Sequence, residues 1–384
     1  MLTWEFPPLV VGGISPHVDG LSRALVRAGH EVVVLTLHHA DVPDDYQAGG
    51  VRVLRARADL PWLPDDNFIA RMASANHMLV QLTTRLDGWV PDVVHAHDWL
   101  VAWAGDTLRV LWQRPLVATV HATERGRNHG YVPPGQPAGI NAVEWWLTYQ
   151  STRVIACSRF MVNEVRAAFD VPETKVAEVP NGVDAGGWTP TTDLPRGEGG
   201  DPLVVSWGRV QYEKGFQTLV EAMARLRHEV PGVRAVIAGR GSHLPELQHQ
   251  AQRMGVADVV HFAGFVPDDE LRFLLQRASC AVIPSLYEPF GIVALEALAA
   301  GAPLVAAASG GLSEVLGGAN AGAGLLFEPG NPGSLAHQLL RMLTEPGLAE
   351  RCQAEGFRLV QEVYSWDVVA AGTVPVYRDA MAGR

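Results

Sequence analysis

Short runs rich in Val, Ile, Leu and Ala alternate along most of the chain with longer stretches whose apolar residues recur every three or four positions. The short runs, bounded by Gly, Pro, Asn or Asp, read as buried strands, and the longer stretches read as amphipathic helices. In the first half, strands are expected at 31–37 (EVVVLTL), 51–56 (VRVLRA), 92–99 (DVVHAHDW), 115–126 (PLVATVHATERG), 153–158 (RVIACS) and 175–184 (KVAEVPNGVD). Helices are expected up to Ala28, from about Asn67 to Leu86, around Val143 to Tyr149, and after Ser158, which should cap the helix that follows it. The second half repeats the alternation: strands at 202–210, 234–239, 259–265, 280–285 and 302–307, with helices at 215–229, 244–254, 268–277 and 292–300.

Strand, helix, strand in this order predicts an α/β protein built on parallel sheets. Residues 1–184 and 203–364 each hold a full alternation, so two Rossmann-like, doubly wound domains are expected. Residues 185–202 (AGGWTPTTDLPRGEGGDP) form the expected exposed and flexible linker, and 365–384 an expected helix interrupted by Gly372 and Pro375. Only Met1 to Trp4 precede the Pro7-Pro8 loop. The first strand is therefore expected to be short, or the start of the chain to lie downstream of the true one.

Composition narrows the class. A chain of 384 residues, 48% hydrophobic and 18% charged, fits two well-buried domains and excludes general disorder. The formal charge of −11, without a basic cluster, speaks against nucleic acid as a partner. Cys157, Cys280 and Cys352 lie far apart, which suggests buried thiols rather than a disulfide framework or a zinc site. No secretory signal and no apolar run of roughly 18 residues is visible, nor a basic amphipathic helix. A cytoplasmic protein with no membrane attachment is the expectation.

The densest candidate chemistry lies in 285–301 (SLYEPFGIVALEALAAG). Glu288 stands on a loop, Pro289-Phe290-Gly291 marks a helix start, and the N–H groups of Gly291, Ile292 and Val293 would point out of the first turn, where phosphate binds. Glu296 is the only polar side chain in the run IVALEALAA, so it needs a partner. It stands roughly 9 Å up the helix, on the order of the length of a diphosphate bridge. Arg209 and Lys214 occupy the loop GRVQYEKG after the first strand of the second half, where two cations beside glycines suit a diphosphate. In the first half, Gly12-Gly13 before a helix lets backbone approach a phosphate, although a tight turn explains the pair equally well. His95, His97 and Asp98 sit at the end of one strand, and His121, Thr123 and Glu124 at the end of the next. These histidines lack a supporting cluster of acids, and Asp-x-Asp is absent, so a metal is not expected. Trp145 and Trp146 could stack on a sugar, but core packing is the expectation.

Glu, seven residues and Glu, with Pro-Phe-Gly after the first, resembles the signature of the retaining glycosyltransferases of family 4, which have the GT-B architecture of two facing Rossmann-like domains with a cleft between them. The stretches WEFPP, VHAHDWL, HATERGRNHG, EWWLTYQSTRVIACS and SLYEPFGIVALEALAAG are most similar to its glycogen and α-glucan synthase branch. The resemblance implies a retaining transferase that moves glucose from ADP- or UDP-glucose to an α-1,4-glucan without a cofactor or metal. It implies that Arg209 and Lys214 neutralise the leaving diphosphate, Glu288 contacts the donor sugar, Glu296 the ribose and His121 the donor sugar. Gly12, Gly13, Gly291, Ile292 and Val293 would complete the donor site, and the last helix would cross back onto the first domain. A lipid, inositol phosphate or other small acceptor is the alternative. A sugar-nucleotide epimerase would not explain Glu288, Glu296, Arg209 and Lys214 together, and an inactive binder would more often have lost one of them.

Overall fold

The computed structural model describes residues 1–58, 63, 67–188 and 200–383. They form two units, Met1–Gly182 with Trp366–Arg384, and Val183–Ser365. The first unit thus closes at Gly182, two residues before the expected 184. Residues Ala185–Trp188 of the expected linker form a helical turn instead, and Arg272 lies over the Trp188 ring. Residues 189–199 of that linker, and the loop residues 59–62 and 64–66, lie outside the described residues.

The first unit contains β1 (Val33–Leu37), β2 (Asp45–Ala48), β3 (Val51–Ala56), β4 (Val94–His97), β5 (Leu116–Val120), β6 (Arg153–Ala156) and β7 (Val176–Glu178). They run in the orders β2-β3-β1 and β4-β5-β6-β7, parallel throughout except for the β2–β3 hairpin. Leu2 bridges both sets, pairing with Leu35 on one side and Ala96 on the other. The short first strand expected from Met1–Trp4 is therefore a single residue of ladder, and it makes one sheet of the two sets. The hairpin carries no period-2 apolar signal, because Asp45–Ala48 is largely solvated; Gly49 and Gly50, at φ +59° and +82°, make its turn. Strand 115–126 is shorter than expected, since Thr123 accepts from the Gly126 N–H at 2.9 Å and starts a helical turn, Glu124–Arg127.

The helix Trp366–Met381 runs through Gly372 and Pro375 without the expected interruption. Val369, Ala370, Val376 and Ala380 are buried in one cluster with Val18, Leu21 and Leu25 of helix Ile14–Arg27, and this packing outweighs the N–H that proline lacks. Gly20 makes room for the closing tryptophan, because a Cβ there would come within 2.1 Å of the Trp366 ring.

The second unit contains β8 (Leu203–Trp207), β9 (Arg234–Ala238), β10 (Val260–Gly264), β11 (Cys280–Ile283), β12 (Leu304–Ala307) and β13 (Leu325–Phe327), in the order β10-β9-β8-β11-β12-β13 and parallel throughout. Chain order reverses between β8 and β11, which is where an open parallel sheet leaves a crevice at its carboxyl edge. Val204, Ala235, Val282, Phe216, Leu219 and Met223 are among the buried residues that hold the helices on this sheet. Cys157, Cys280 and Cys352 are buried thiols. Among the described residues no helix is long and apolar enough to cross a membrane.

Candidate functional site

The loops that leave β8 and β11 flank the reversal point, and the backbone presses them together. Gly215, at φ +70°, lies so close to the second loop that a Cβ would come within 1.9 Å of the Pro284 carbonyl oxygen. Beside it the Leu286 N–H donates to the Glu213 carbonyl at 2.8 Å. This places Lys214 against Glu288: Nζ donates to Oε2 at 2.7 Å, and the Ser285 hydroxyl donates to the same oxygen at 3.0 Å. Glu288 is only 7% exposed, so the ammonium compensates a nearly buried charge. Arg209 is exposed and makes no ion pair among the described residues, which leaves its guanidinium available to a ligand.

Gly291, at φ +103°, caps helix Ile292–Ala299, and a Cβ there would meet Leu312 at 2.5 Å. Among the described residues no backbone carbonyl takes the N–H of Gly291, Ile292 or Val293. The first turn therefore keeps the donors that suit a phosphate. Glu296 finds its partner in Trp207, the last residue of β8, whose Nε1–H donates to Oε2 at 3.1 Å. Burial pushes the Glu296 carboxyl up to about 7 despite that bond.

In the first unit the glycine pair is arranged differently from expectation. The Glu5 carboxylate accepts from the N–H groups of Val11, Gly12 (3.2 Å) and Ser15 (3.3 Å), so an internal anion already occupies the Gly12 amide expected to meet a phosphate. Gly13 has φ −71°, which any residue adopts. Burial raises the Glu5 carboxyl above its usual range, and those three N–H groups pull it back.

His95 packs behind the sheet edge, Nε2 on the Thr119 hydroxyl and Nδ1 on the Tyr377 hydroxyl, each at 2.7 Å. His97 and His121 meet, Nδ1 to Nε2 at 3.3 Å, and His17 from helix Ile14–Arg27 lies edge-on to His121 with ring centroids 4.7 Å apart. Asp98, at φ +62°, accepts the His121 N–H at 2.8 Å and fixes its backbone. Burial pushes the Asp98 carboxyl up to about 6 and drives the His121 imidazole down to about 3, so His121 is neutral. Glu144, on helix Gln136–Gln150, accepts the Glu124 N–H at 2.9 Å, and burial pushes it up to about 8. Asn128 and Arg127 turn back on Glu124, at 3.1 Å and 3.6 Å, so the polar loop is partly self-paired. Trp146 packs against Trp103, whereas Trp145 is exposed and stacks on Tyr149.

Four residues of this chemistry escape a reading of the sequence. His17 and Glu144 stand far in sequence from the groups they touch, Glu5 folds onto the loop just after it, and Trp207 reads as an ordinary strand residue. The available signals are a lone acid before a Pro-Pro loop (Glu5) and a lone acid beside two tryptophans (Glu144).

Residues 11–186 match the model of Glycosyltransferase Family 4, and residues 195–358 that of Glycosyl transferases group 1. The chain is 38% identical to a glycogen synthase of Mycobacterium tuberculosis, covering 100% of this chain and 95% of that protein. It is 32% identical to a D-inositol 3-phosphate glycosyltransferase of Xylanimonas cellulosilytica, over 97% of this chain and 93% of that one. Among solved structures, the sucrose-phosphate synthase of Thermosynechococcus elongatus superposes with a TM-score of 0.83 at 24% identity, covering 100% and 98% of the two chains.

Proposed function

Since the chain belongs to the family 4 glycosyltransferases and has their GT-B fold, we propose that it moves glucose from ADP- or UDP-glucose to the end of an α-1,4-glucan in the cytoplasm, with retention of the α linkage. The observation that carries this reading is the Lys214–Glu288 pair at the reversal point of the second sheet, next to an open helix end and to Glu296 held by Trp207. Lys214, Arg209 and the amides of Gly291, Ile292 and Val293 neutralise the diphosphate as it leaves. Glu288 orients the sugar hydroxyls, and Glu296 accepts from the ribose.

The bond from the sugar C1 to the phosphate oxygen breaks with its electron pair going to phosphate. The acceptor oxygen bonds to C1 on the same face, and its proton passes to the leaving phosphate oxygen. His121, neutral and anchored through Asp98, serves the donor sugar. No metal is assigned to the step, because fixed cations and amides meet the developing charge.

A panel of ADP- and UDP-glucose against maltooligosaccharides, glycogen, inositol phosphate, fructose 6-phosphate and a lipid extract, with and without EDTA, tests the reading. Longer maltooligosaccharides formed in EDTA are the expected outcome. Labelling of a small phosphorylated or lipid acceptor instead would overturn the glucan assignment, and loss of all transfer in EDTA, restored by Mg2+, would overturn metal independence.

A further inference from the structure

Three buried nitrogens in the first unit have no partner among the described residues: Nδ1 and Nε2 of His17, and Nε2 of His97. Unpaired polar atoms of this kind are costly and call for an occupant. His17 and His97 belong to a set with His121 in which each residue brings one ligand atom within 4.8 Å of the others. These residues come from helix Ile14–Arg27, the end of β4 and the end of β5, so the sheet itself converges them.

One of the three spacings already suits a tetrahedral ion. Metal–nitrogen bonds of about 2.0–2.1 Å at the tetrahedral angle place ligand nitrogens about 3.3–3.4 Å apart. His97 Nδ1 and His121 Nε2, hydrogen-bonded to each other in this structure, are 3.3 Å apart, so an ion between them takes Nδ1 of His97 and not its unpaired Nε2. The buried Asn181, whose Oδ1 is also unpartnered, lies beside His17 and offers its second nitrogen the outer acceptor that metal-bound imidazoles use. His121 is the partly exposed member of the three. Three imidazoles without a carboxylate favour zinc, cobalt, nickel or copper over magnesium or calcium.

We propose that His17, His97 and His121 form a site for one zinc-class divalent ion, and that occupation of it withdraws His121 from the sugar and switches transfer off. The inhibitory part rests on the role given to His121 in the proposed function; the binding part does not.

Equilibrium dialysis and calorimetry of the full chain with Zn2+, Co2+ and Mg2+ test it. One zinc or cobalt ion per chain is expected, with the visible absorption of tetrahedral cobalt and no Mg2+ binding. His17→Gln should weaken binding by about tenfold or more. Zinc should stop transfer by the wild-type protein, EDTA should restore it, and His17→Gln should resist zinc relative to its own metal-free rate. In case that variant does not fold, X-ray absorption of the zinc-loaded wild-type protein should show three imidazoles. No stoichiometric binding, or scattering from fewer than three imidazoles, would overturn the site while leaving the transferase reading intact. Zinc bound by three imidazoles with transfer unaffected would overturn the switch, and with it the role of His121.

Discussion

Lys214 and Arg209 carry the same charge in different settings, and their removal should be distinguishable. Lys214 compensates Glu288, so Lys214→Ala is expected to lower stability by about 1–3 kcal/mol as well as transfer, with coupling to Glu288→Ala in a double-mutant melting cycle. Arg209 has no such partner among the described residues, so Arg209→Ala should leave the melting temperature unchanged. Either change should slow transfer about a hundredfold or more, the equivalent of roughly 3 kcal/mol of transition-state stabilisation. Near-normal turnover would remove the diphosphate assignment.

Glu296 adds a pH dependence. Its ionised form accepts from a ribose more strongly than its neutral form, and burial holds its carboxyl at about 7, so the KM for the nucleotide sugar should rise as pH falls through that value. The Trp207 N–H bond pulls the carboxyl down, so Trp207→Phe should move the midpoint to higher pH; a KM profile flat from pH 5 to 9, a range set at about two units on either side of the midpoint, would count against the role. Stability runs the other way. A carboxyl raised in the folded state contributes stability that is present at low pH and lost as pH rises through about 7.

At the scale of elements, the loops after β8 and β11 act as one piece because a glycine separates them. Gly215→Ala forces a side chain onto the Pro284 carbonyl at a φ of +70°, and is expected to cost about 2 kcal/mol or more in a denaturant titration. Transfer should fall with it, since Lys214 and Glu288 would separate. Most strands and helices up to Leu304–Ala307 were legible from alternation, down to helix 268–277 and the Ser158 cap, whose hydroxyl accepts the Met161 N–H at 3.1 Å. The helices Ala102–Trp112, Pro332–Thr344 and Leu348–Glu362 and the strand Leu325–Phe327 were not assigned. Three further departures have physical reasons. Asp45–Ala48 has no apolar face, Met1–Trp4 contributes one residue of ladder, and Pro375 is tolerated because the helix around it is buried against a distant one.

At the scale of the whole molecule, the last helix belongs to the first unit. Truncation after Ser365 removes Trp366, Val369, Ala370, Val376 and Ala380 from a core that includes Val18, Leu21 and Leu25, and takes the Tyr377 hydroxyl from His95. Two melting transitions are then expected, the first unit unfolding at lower temperature while the second keeps its nucleotide binding. Loss of nucleotide binding with an unchanged first transition would contradict that division.

The sequence alone determined the α/β class, the two-fold repeat of strand and helix, and the Glu288, Glu296, Arg209 and Lys214 constellation. Periodicity and local spacing are properties of neighbours along the chain, and these features are written there. Tertiary structure alone decided that Lys214 pairs with Glu288, that Trp207 serves Glu296, that Glu5 occupies the glycine loop and that His17 joins His97 and His121. Apart from Glu5, whose partners lie in the loop just after it, those pairings join residues brought together by sheet order, and which buried polar atom finds a partner depends on which strands lie side by side.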